Sequence, residues 1–491
     1  MERRHILIEF LVTIGFMLLR AAHNVAQRVA WWADGTTAQC KTASLDPTHT
    51  ERSAQLMSVW KKNAFDPYQM HNDPGNFIMQ HKDFVHPSYV LKDEVSFYCM
   101  TKTHAYFVEA APGVEVWRNE VGPFHKAAQY ENAEFVIRMP LGAFFALADD
   151  LGEIQEKLIF VDFIPRSGST LLCKIFEATG ECVSFSEAHA VNDVFGAYVK
   201  DGNSEEQKRA IQAQIRLLCK PRSKPTSAFM FKMLPAQIQS RVLGQYIREL
   251  FPQAKFLFLY RNGAPMAKSL ERLMLQVNAL RLVNTLRVIP SLWKKVRVWF
   301  VSIGQDFSPE VQDVLKSTDH IEYLTCGLYW MLCVQGQMEN AGDRPGIKYE
   351  DLLACPEESI SAIFAYCGLS EDLVPKAMNA FKGDSQHNLG MSWKQLAQMG
   401  WAKTVAAEVN DEARKELDEL ASLYRVPLLT DNCVLPNTIS VRKDCFFDDN
   451  NNNCVDNNNN EDCVPNFSLA IENKLKATAL TIVESEEVTR M

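Results

Sequence analysis

The most constraining feature of this chain is an apolar run, Leu158–Ile164, that passes directly into Pro165-Arg166-Ser167-Gly168-Ser169-Thr170 and then into a helical pattern, Thr170–Ala178. A continuous apolar strand, unlike an alternating one, predicts burial on both faces of a sheet. Three more segments of this kind follow, at Phe229–Met233, Phe256–Tyr260 and Gly346–Tyr349. Helical stretches lie between and after them, at Glu205–Leu218, Ser240–Leu250 and Glu358–Cys367. Strands alternating with helices predict an α/β fold, a parallel sheet flanked by helices on both faces. Such sheets bind ligands beyond the carboxyl ends of their strands.

Four regions are expected. Residues 1–35 form an apolar N-terminal segment, 36–155 a small mixed α/β unit, 156–430 the parallel-sheet domain, and 431–491 an Asn/Asp/Cys-rich tail. In the small unit, short strand patterns fall at Val95–Met100, Ala105–Ala110, Val114–Trp117 and Phe135–Met139, with a helix over Leu141–Leu151. Its histidines, His81, His86, His104 and His125, are irregularly spaced and read as ordinary surface or core residues.

The N-terminal segment sets Arg3 and Arg4 before a neutral run, Phe10–Leu19, that is interrupted upstream by Glu9 and closed by Arg20. A signal or short anchor fits that order, and so does an amphipathic or core helix ending near Trp31-Trp32; the neutral run is shorter than the ~20 residues a bilayer needs. A Golgi or secretory-membrane location and a cytoplasmic one both remain open.

The hydrophobic fraction of 47% and charged fraction of 23% are those of a globular protein. A net charge of −9 disfavours a general nucleic-acid binder. Two thirds of that charge lies in the tail, where 11 acidic and 5 basic residues give −6. The tail also carries the last four of 13 cysteines, Cys433, Cys445, Cys454 and Cys463. A calcium loop or a disulfide-tied tail fits this segment; as a calcium loop, Asp448, Asn450 and Asn452 suit the first ligand positions, but Asn453 replaces the turn glycine and Asn459 the bidentate glutamate. A low-complexity, disordered tail is the stronger reading. The sequon Asn466-Phe467-Ser468 matters only in a secreted chain. No CxxC or HExxH spacing occurs, so no structural zinc is expected.

The loop after Ile164 has the chemistry of an anion cradle. Backbone N–H groups and the helix dipole favour negative charge at a helix N-terminus. Gly168 permits close backbone approach, Ser169 and Thr170 add hydroxyls, and Arg166 supplies a permanent guanidinium. A plain serine N-cap is the alternative for the same residues. The loop departs from GxxxxGK[ST], because Ser169 stands where that pattern has lysine; a conventional ATP–magnesium site is therefore disfavoured. A second basic site follows the Phe256–Tyr260 strand, where Arg261 and Ser269, eight residues apart, can converge on another phosphate. Two such sites on one sheet edge predict a ligand with two separated phosphate groups.

The PRSGSTLL loop, the FLFLYRN…KS segment and the Lys348-Tyr349-Glu350-Asp351-Leu352 stretch together resemble the sulfotransferase family over residues 155–430. The Arg-Ser-Gly loop is closer to the Golgi carbohydrate and tyrosylprotein members than to the lysine-containing cytosolic type. Residues 60–155 joined to this core resemble an uncharacterised invertebrate group. The resemblance implies a P-loop fold, PAPS (3′-phosphoadenosine 5′-phosphosulfate) as co-substrate, no catalytic metal and a hydroxyl-bearing acceptor. It implies that Arg166, Ser167, Gly168, Ser169 and Thr170 hold the 5′-phosphosulfate, and Arg261 with Ser269 the 3′-phosphate. Where the family often has Asp after that arginine, this chain has Asn262. Glu187 stands 21 residues after Arg166, the spacing of the Golgi families' active-site glutamate, although Ala188 replaces their proline. Glu187 is the candidate base, His189 its alternate, and Lys232 a second cation for charge on the leaving oxygen.

Residues 272–305 hold Arg272, Arg281, Arg287, Lys294, Lys295 and Arg297 without an acidic residue. A solvated helix face accounts for them, as does a surface that attracts an anionic acceptor or a membrane. Two further function classes stay open: a P-loop kinase or hydrolase, and a non-catalytic PAPS- or PAP-binding paralogue.

Overall fold

In a computed structural model the chain divides into two units, Met1–Arg442 and Lys443–Met491. The structure describes residues 2–439 apart from 46–51, 66–71, 123, 189–190, 192–203, 234–237, 275–280, 284, 290–291, 294, 297–307, 319, 340–341, 343 and 383–410. Every element described below belongs to the first unit. Most of the expected Asn/Asp-rich tail, with Asn466 and the candidate calcium positions, lies outside the described residues.

Two five-stranded sheets organise the chain. The N-terminal one is antiparallel, in the order β2-β1-β5-β4-β3. Its strands are β1 (Ala54–Lys62), β2 (Phe77–Val85), β3 (Val95–Met100), β4 (His104–Glu109) and β5 (Phe135–Pro140). The β1–β2 pair has no counterpart in the sequence reading. The expected strand at Val114–Trp117 is instead two turns, closed by Val114 N–H on Ala111 O and Arg118 N–H on Glu115 O. Pro112-Gly113 starts a turn there, and no neighbouring strand pairs with the segment. Helices α1 (Glu2–Ala33) and α2 (Thr36–Leu45) precede the sheet, α3 (His125–Asn132) lies between β4 and β5, and α4 (Leu141–Asp150) follows β5.

The second sheet is fully parallel, in the order β10-β9-β6-β8-β7. It comprises β6 (Lys157–Phe163), β7 (Cys182–Ser186), β8 (Ala228–Lys232), β9 (Lys255–Tyr260) and β10 (Gly346–Lys348). The predicted α/β class and parallel sheet are thus observed. Four of the strands are those read from their apolar runs. β7 was missed because Cys182-Val183-Ser184-Phe185-Ser186 alternates apolar and polar residues, yet all five are buried. The connecting helices are α5 (Ser169–Ala178), α6 (Ser204–Leu218), α7 (Ile238–Leu250) and α8 (Gly263–Met274). After β6 the chain builds β7 and β8 on one side, then crosses to β9 and β10 on the other. The direction of winding therefore reverses beside β6, and a crevice forms at such a switch point.

The two sheets share a core, although the sequence divides near 155. One buried cluster runs from Leu56, Phe97, Phe107 and Ile137 of the first sheet to Leu158, Phe160, Phe229 and Phe231 of the second. Within it Phe160 stacks between Phe231 at 5.1 Å and Phe256 at 5.5 Å. Lys220, buried after α6, donates its ammonium to Val90 O at 2.7 Å and also to Lys92 O and Val95 O. This ties the loop before β3 to the parallel-sheet half through three backbone acceptors.

The chain does not leave the body at 430. Gly346 N–H donates to Asn437 O and Ile439 N–H to Gly346 O, both at 2.8 Å, so residues 437–439 cover the free edge of β10. Tyr260 Oη pairs with Thr438 Oγ1 at 2.8 Å. An uncovered parallel edge would expose unpaired backbone groups, which explains why composition alone misplaced this boundary.

At the C-terminal end of α5, Glu177 Oε2 accepts Asn119 N–H at 3.0 Å in a cleft lined by Trp117, Arg118 and Arg222. Burial pushes the Glu177 carboxyl up to about 8, from an ordinary 4.5. The folded chain therefore keeps a proton that the unfolded chain releases above about pH 4.5. This contribution to stability is fully present below that pH and is lost as pH rises through about 8. Glu177→Gln is expected to remove the effect: relative to wild type, its Tm should gain about 2–5 °C between pH ~5 and ~8.5. A thermal-melt series over that range checks it; parallel curves would refute it.

Candidate active site

The carboxyl end of β6 carries the loop 164–168, and its conformation is unusual. Arg166 has φ +62° and Gly168 φ +86°. Left-handed backbone is easy for glycine but costs energy for arginine, and such outliers persist where the surroundings over-determine them. Ser167 is fully buried, and its Oγ donates to Ile164 O at 2.6 Å and lies 3.3 Å from Leu259 O. The resemblance counts Ser167 among the residues around the 5′-phosphosulfate; here its side chain braces the loop against β6 and β9, which leaves its backbone to face an anion. Ser169 and Thr170 open α5, where first-turn N–H groups have no partner within the helix.

Gly168 is required by packing as well as by φ. A Cβ built there would lie 2.4 Å from the Tyr349 ring. Tyr349 begins α11 (Tyr349–Ala354), immediately after β10, so the last strand presses an aromatic ring onto the loop of the first. The other face of the story is Arg261, whose guanidinium carbon lies 5.0 Å from the centre of the same ring.

The two expected phosphate subsites are joined more closely than the sequence indicates. Arg166 Nε donates to Ser269 Oγ at 2.9 Å, and Arg261 Nη1 donates to Arg166 O at 3.3 Å. Ser269 therefore partners Arg166, not Arg261, in this structure. Burial, and then the nearby Arg261 charge, push the Arg166 pKa down from its ordinary value. Two guanidinium groups brought together beside a helix N-terminus form a strongly anion-seeking centre.

Asn262 does not leave Arg261 without a carboxylate. Glu350 Oε1 accepts Asn262 N–H at 3.1 Å and stands 4.0 Å from Arg261 Nε. Arg261 O is in turn held by Trp330 Nε1 at 2.9 Å, from helix α10 (Ile321–Glu339), which follows α9 (Pro309–Ser317). Asn432 Oδ1 accepts from Lys348 Nζ at 2.6 Å and from Asn262 Nδ2 at 3.3 Å, closing the outer rim.

On the opposite side of β6, the ends of β7 and β8 bring Glu187 and Lys232 together. Lys232 Nζ donates to Glu187 Oε1 at 2.9 Å, and Glu187 N–H donates to Lys232 O at 3.0 Å. Glu187 has φ +56°, so the side chain is aimed by a costly backbone conformation, as at Arg166. The Lys232 side chain is 2% exposed and that of Glu187 15%. The Lys232 ammonium lies between the Phe163 ring at 4.8 Å and the Phe124 ring at 5.1 Å. Phe124, just before α3, is a contribution of the antiparallel half that no motif signals. Tyr329 of α10 interacts electrostatically with Glu187, and burial pushes its phenol far up. His189 lies outside the described residues, as do the side chains of Arg287, Lys294 and Arg297 in the basic segment.

The pair and the cradle thus share one sheet edge. Strand order puts the Glu187–Lys232 pair after β7 and β8, the loop with Arg166 after β6, and Arg261 after β9. A bound anion at the loop would have the carboxylate and ammonium to one side and the second guanidinium to the other. Among the described residues, no group of three or more His, Cys, Asp or Glu side chains is placed to hold a metal ion.

No protein-family model matches this chain, and no curated protein matches it. Its structure is similar to several solved sulfotransferases. The sulfotransferase domain of the Synechococcus PCC 7002 olefin synthase is 14% identical, with 56% of this chain and 98% of that one covered at a TM-score of 0.29. Sulfotransferase STF9 from Mycobacterium avium is 9% identical, with 59% and 83% covered and a TM-score of 0.31. A sulfotransferase from Alicyclobacillus acidocaldarius is 15% identical, with 55% and 100% covered and a TM-score of 0.27.

Proposed function

We propose that this protein is a sulfotransferase that moves a sulfuryl group from PAPS to a hydroxyl acceptor. The observation that carries the reading is the convergence of Arg166, Ser269 and Arg261 beside the Gly168–Tyr349 contact, at the switch point of the parallel sheet. That arrangement suits a ligand with more than one phosphate group, and it lacks the lysine a nucleoside triphosphate with magnesium would use. The residue motifs that resemble the sulfotransferase family fall on this same edge.

PAPS, when bound, supplies the activated sulfuryl group. Arg166 and the first-turn N–H groups of α5 hold its anionic centre, while Arg261 extends the positive surface toward a second phosphate and Ser269, beside Arg166, adds a hydroxyl. Glu187 takes the proton from the acceptor hydroxyl as the acceptor oxygen bonds to sulfur. The bond from sulfur to the 5′-phosphate oxygen breaks, and PAP (adenosine 3′,5′-bisphosphate) leaves with the electron pair. Lys232, which donates to Glu187 Oε1 at 2.9 Å, orients that carboxylate toward the acceptor and offers positive charge to the leaving oxygen. The likeness of the loop to Golgi carbohydrate and tyrosylprotein enzymes makes sugar and tyrosine hydroxyls the first acceptors to try.

The test is transfer from radiolabelled PAPS to sugar, tyrosyl-peptide and phenol acceptors, combined with thermal shift by PAP and by ATP–magnesium. Labelled product with at least one acceptor class, and stabilisation by PAP above that by ATP–magnesium, are expected. Preference for ATP–magnesium would instead identify a kinase or hydrolase. Tight PAP binding with no transfer to any class would identify a binding protein.

A further inference from the structure

Helix α1 turns the usual polarity of a surface helix inside out. From Ile6 to Ala33 its inward stripe consists of Ile6, Glu9, Thr13, Phe16, Arg20, His23, Gln27 and Trp31, the positions that are buried or half-buried. Most of its polar residues are therefore on the protein side. Gln27 Nε2 donates to Met79 O at 2.8 Å, the His23 ring lies 5.7 Å from Trp60, and Trp31 meets His81 at 6.1 Å, so the stripe is bedded on β1 and β2. The outward arc carries the apolar residues: Leu11 is 64% exposed, Leu18 68%, Val25 64% and Val29 62%. Only Asn24 and Arg28 add polar groups to it. A helix selected for water shows the reverse pattern, and monomeric soluble proteins rarely expose a continuous apolar surface of this extent.

We infer that this outward arc is embedded in a lipid bilayer. Three observations favour lipid over a protein partner. The helix from Ile6 to Ala33 has 28 residues and a mean hydropathy of 1.8 in its most apolar window, of which 11% is buried. At ~1.5 Å per residue it is about 42 Å long, longer than the ~30 Å hydrocarbon layer. The apolar arc occupies most of the circumference, where a protein groove would cover a narrow stripe. Trp32 at 78% and Trp60 at 60% exposure flank its C-terminal half, the residue type that settles at headgroup level. This placement does not depend on what the catalytic edge does.

Flotation with phosphatidylcholine–phosphatidylserine vesicles tests it, using the full chain synthesised in their presence. Most of the protein should float and stay with the vesicles through an alkaline carbonate wash. Leu11→Glu with Leu18→Glu should cut the floating fraction about tenfold or more, because each carboxylate must enter the acyl layer. Leu423→Glu with Val434→Glu, at exposed apolar positions away from α1, should float as wild type does. Cooperative thermal melting of both double variants shows that they fold. Three results would overturn the inference: wild type remaining unfloated, flotation unchanged by the Leu11/Leu18 pair, or a dimer in vesicle-free buffer that those substitutions dissociate, which would put a second copy on the arc.

Discussion

Replacing Arg166 by alanine is expected to weaken PAP binding at least about a hundredfold, read by isothermal titration calorimetry. Charge-assisted hydrogen bonds to a phosphate contribute ~1.5–3 kcal/mol each, and a hundredfold corresponds to about 2.7 kcal/mol. The structure adds a further reason for a large effect. Arg166 Nε also holds Ser269 Oγ, so loss of the side chain frees that hydroxyl as well, while Arg261 Nη1 keeps its backbone acceptor, Arg166 O. The backbone separates binding from folding. At φ +62° alanine keeps the strain that arginine bears, whereas glycine relieves it. Arg166→Gly should therefore bind PAP as poorly as Arg166→Ala while melting higher. Arg166→Lys should recover only part of the affinity, since an ammonium lacks the planar fork. Unchanged PAP affinity in Arg166→Ala would refute the assignment of this loop.

The second large effect is at Glu187. Glu187→Gln should lower PAPS-dependent transfer by about 10²–10⁴, the span attributed to a positioned general base, and leave PAP affinity within about threefold. The substitution also withdraws the carboxylate partner of an ammonium that is 2% exposed. An unpaired buried charge is destabilising, so Tm should fall as well. Adding Lys232→Met should restore Tm without restoring turnover. Near-wild-type turnover in Glu187→Gln, with a lowered Tm, would make the pair purely structural and pass the base to His189.

Several parts of this organisation are legible along the chain. Leu158–Ile164 and Phe256–Tyr260 are buried on both faces, so their composition alone marks them as central parallel strands. The turn chemistry of Arg166–Thr170 marks the loop, because a glycine between short polar residues at a strand-to-helix junction serves few other purposes. β7 escaped because Ser184 and Ser186 are buried with polar side chains, which hydropathy reads as exposed. The β1–β2 pair escaped because β1 runs from four buried residues to three exposed ones, a pattern with no clean period.

The site divides in the same way. Arg166, Gly168 and Arg261 stand in local motifs. Glu350, Tyr349, Trp330 and Phe124 do not act locally: each reaches the site from another part of the chain. The carboxylate missing after Arg261 is supplied by Glu350, 88 residues on from Asn262, and no motif at Asn262 announces it. Ser269 follows β9 as the sequence indicates, yet its hydroxyl partners Arg166 and not Arg261.

Local order in the chain therefore settles the class of sheet, the strand-to-helix loop at Arg166–Thr170 and the position of Arg261 at a strand end, because backbone conformation and burial are governed by near neighbours and by hydrophobic period. Pairings are decided only when strand order is set. Crossing from β8 over β6 to β9 is what brings Arg261 against Arg166 O, and the adjacency of β7 and β8 is what joins Glu187 to Lys232. Those contacts are a few ångströms long and span between 45 and 95 residues of sequence. Their energies depend on distance and burial in three dimensions, quantities that no linear spacing contains.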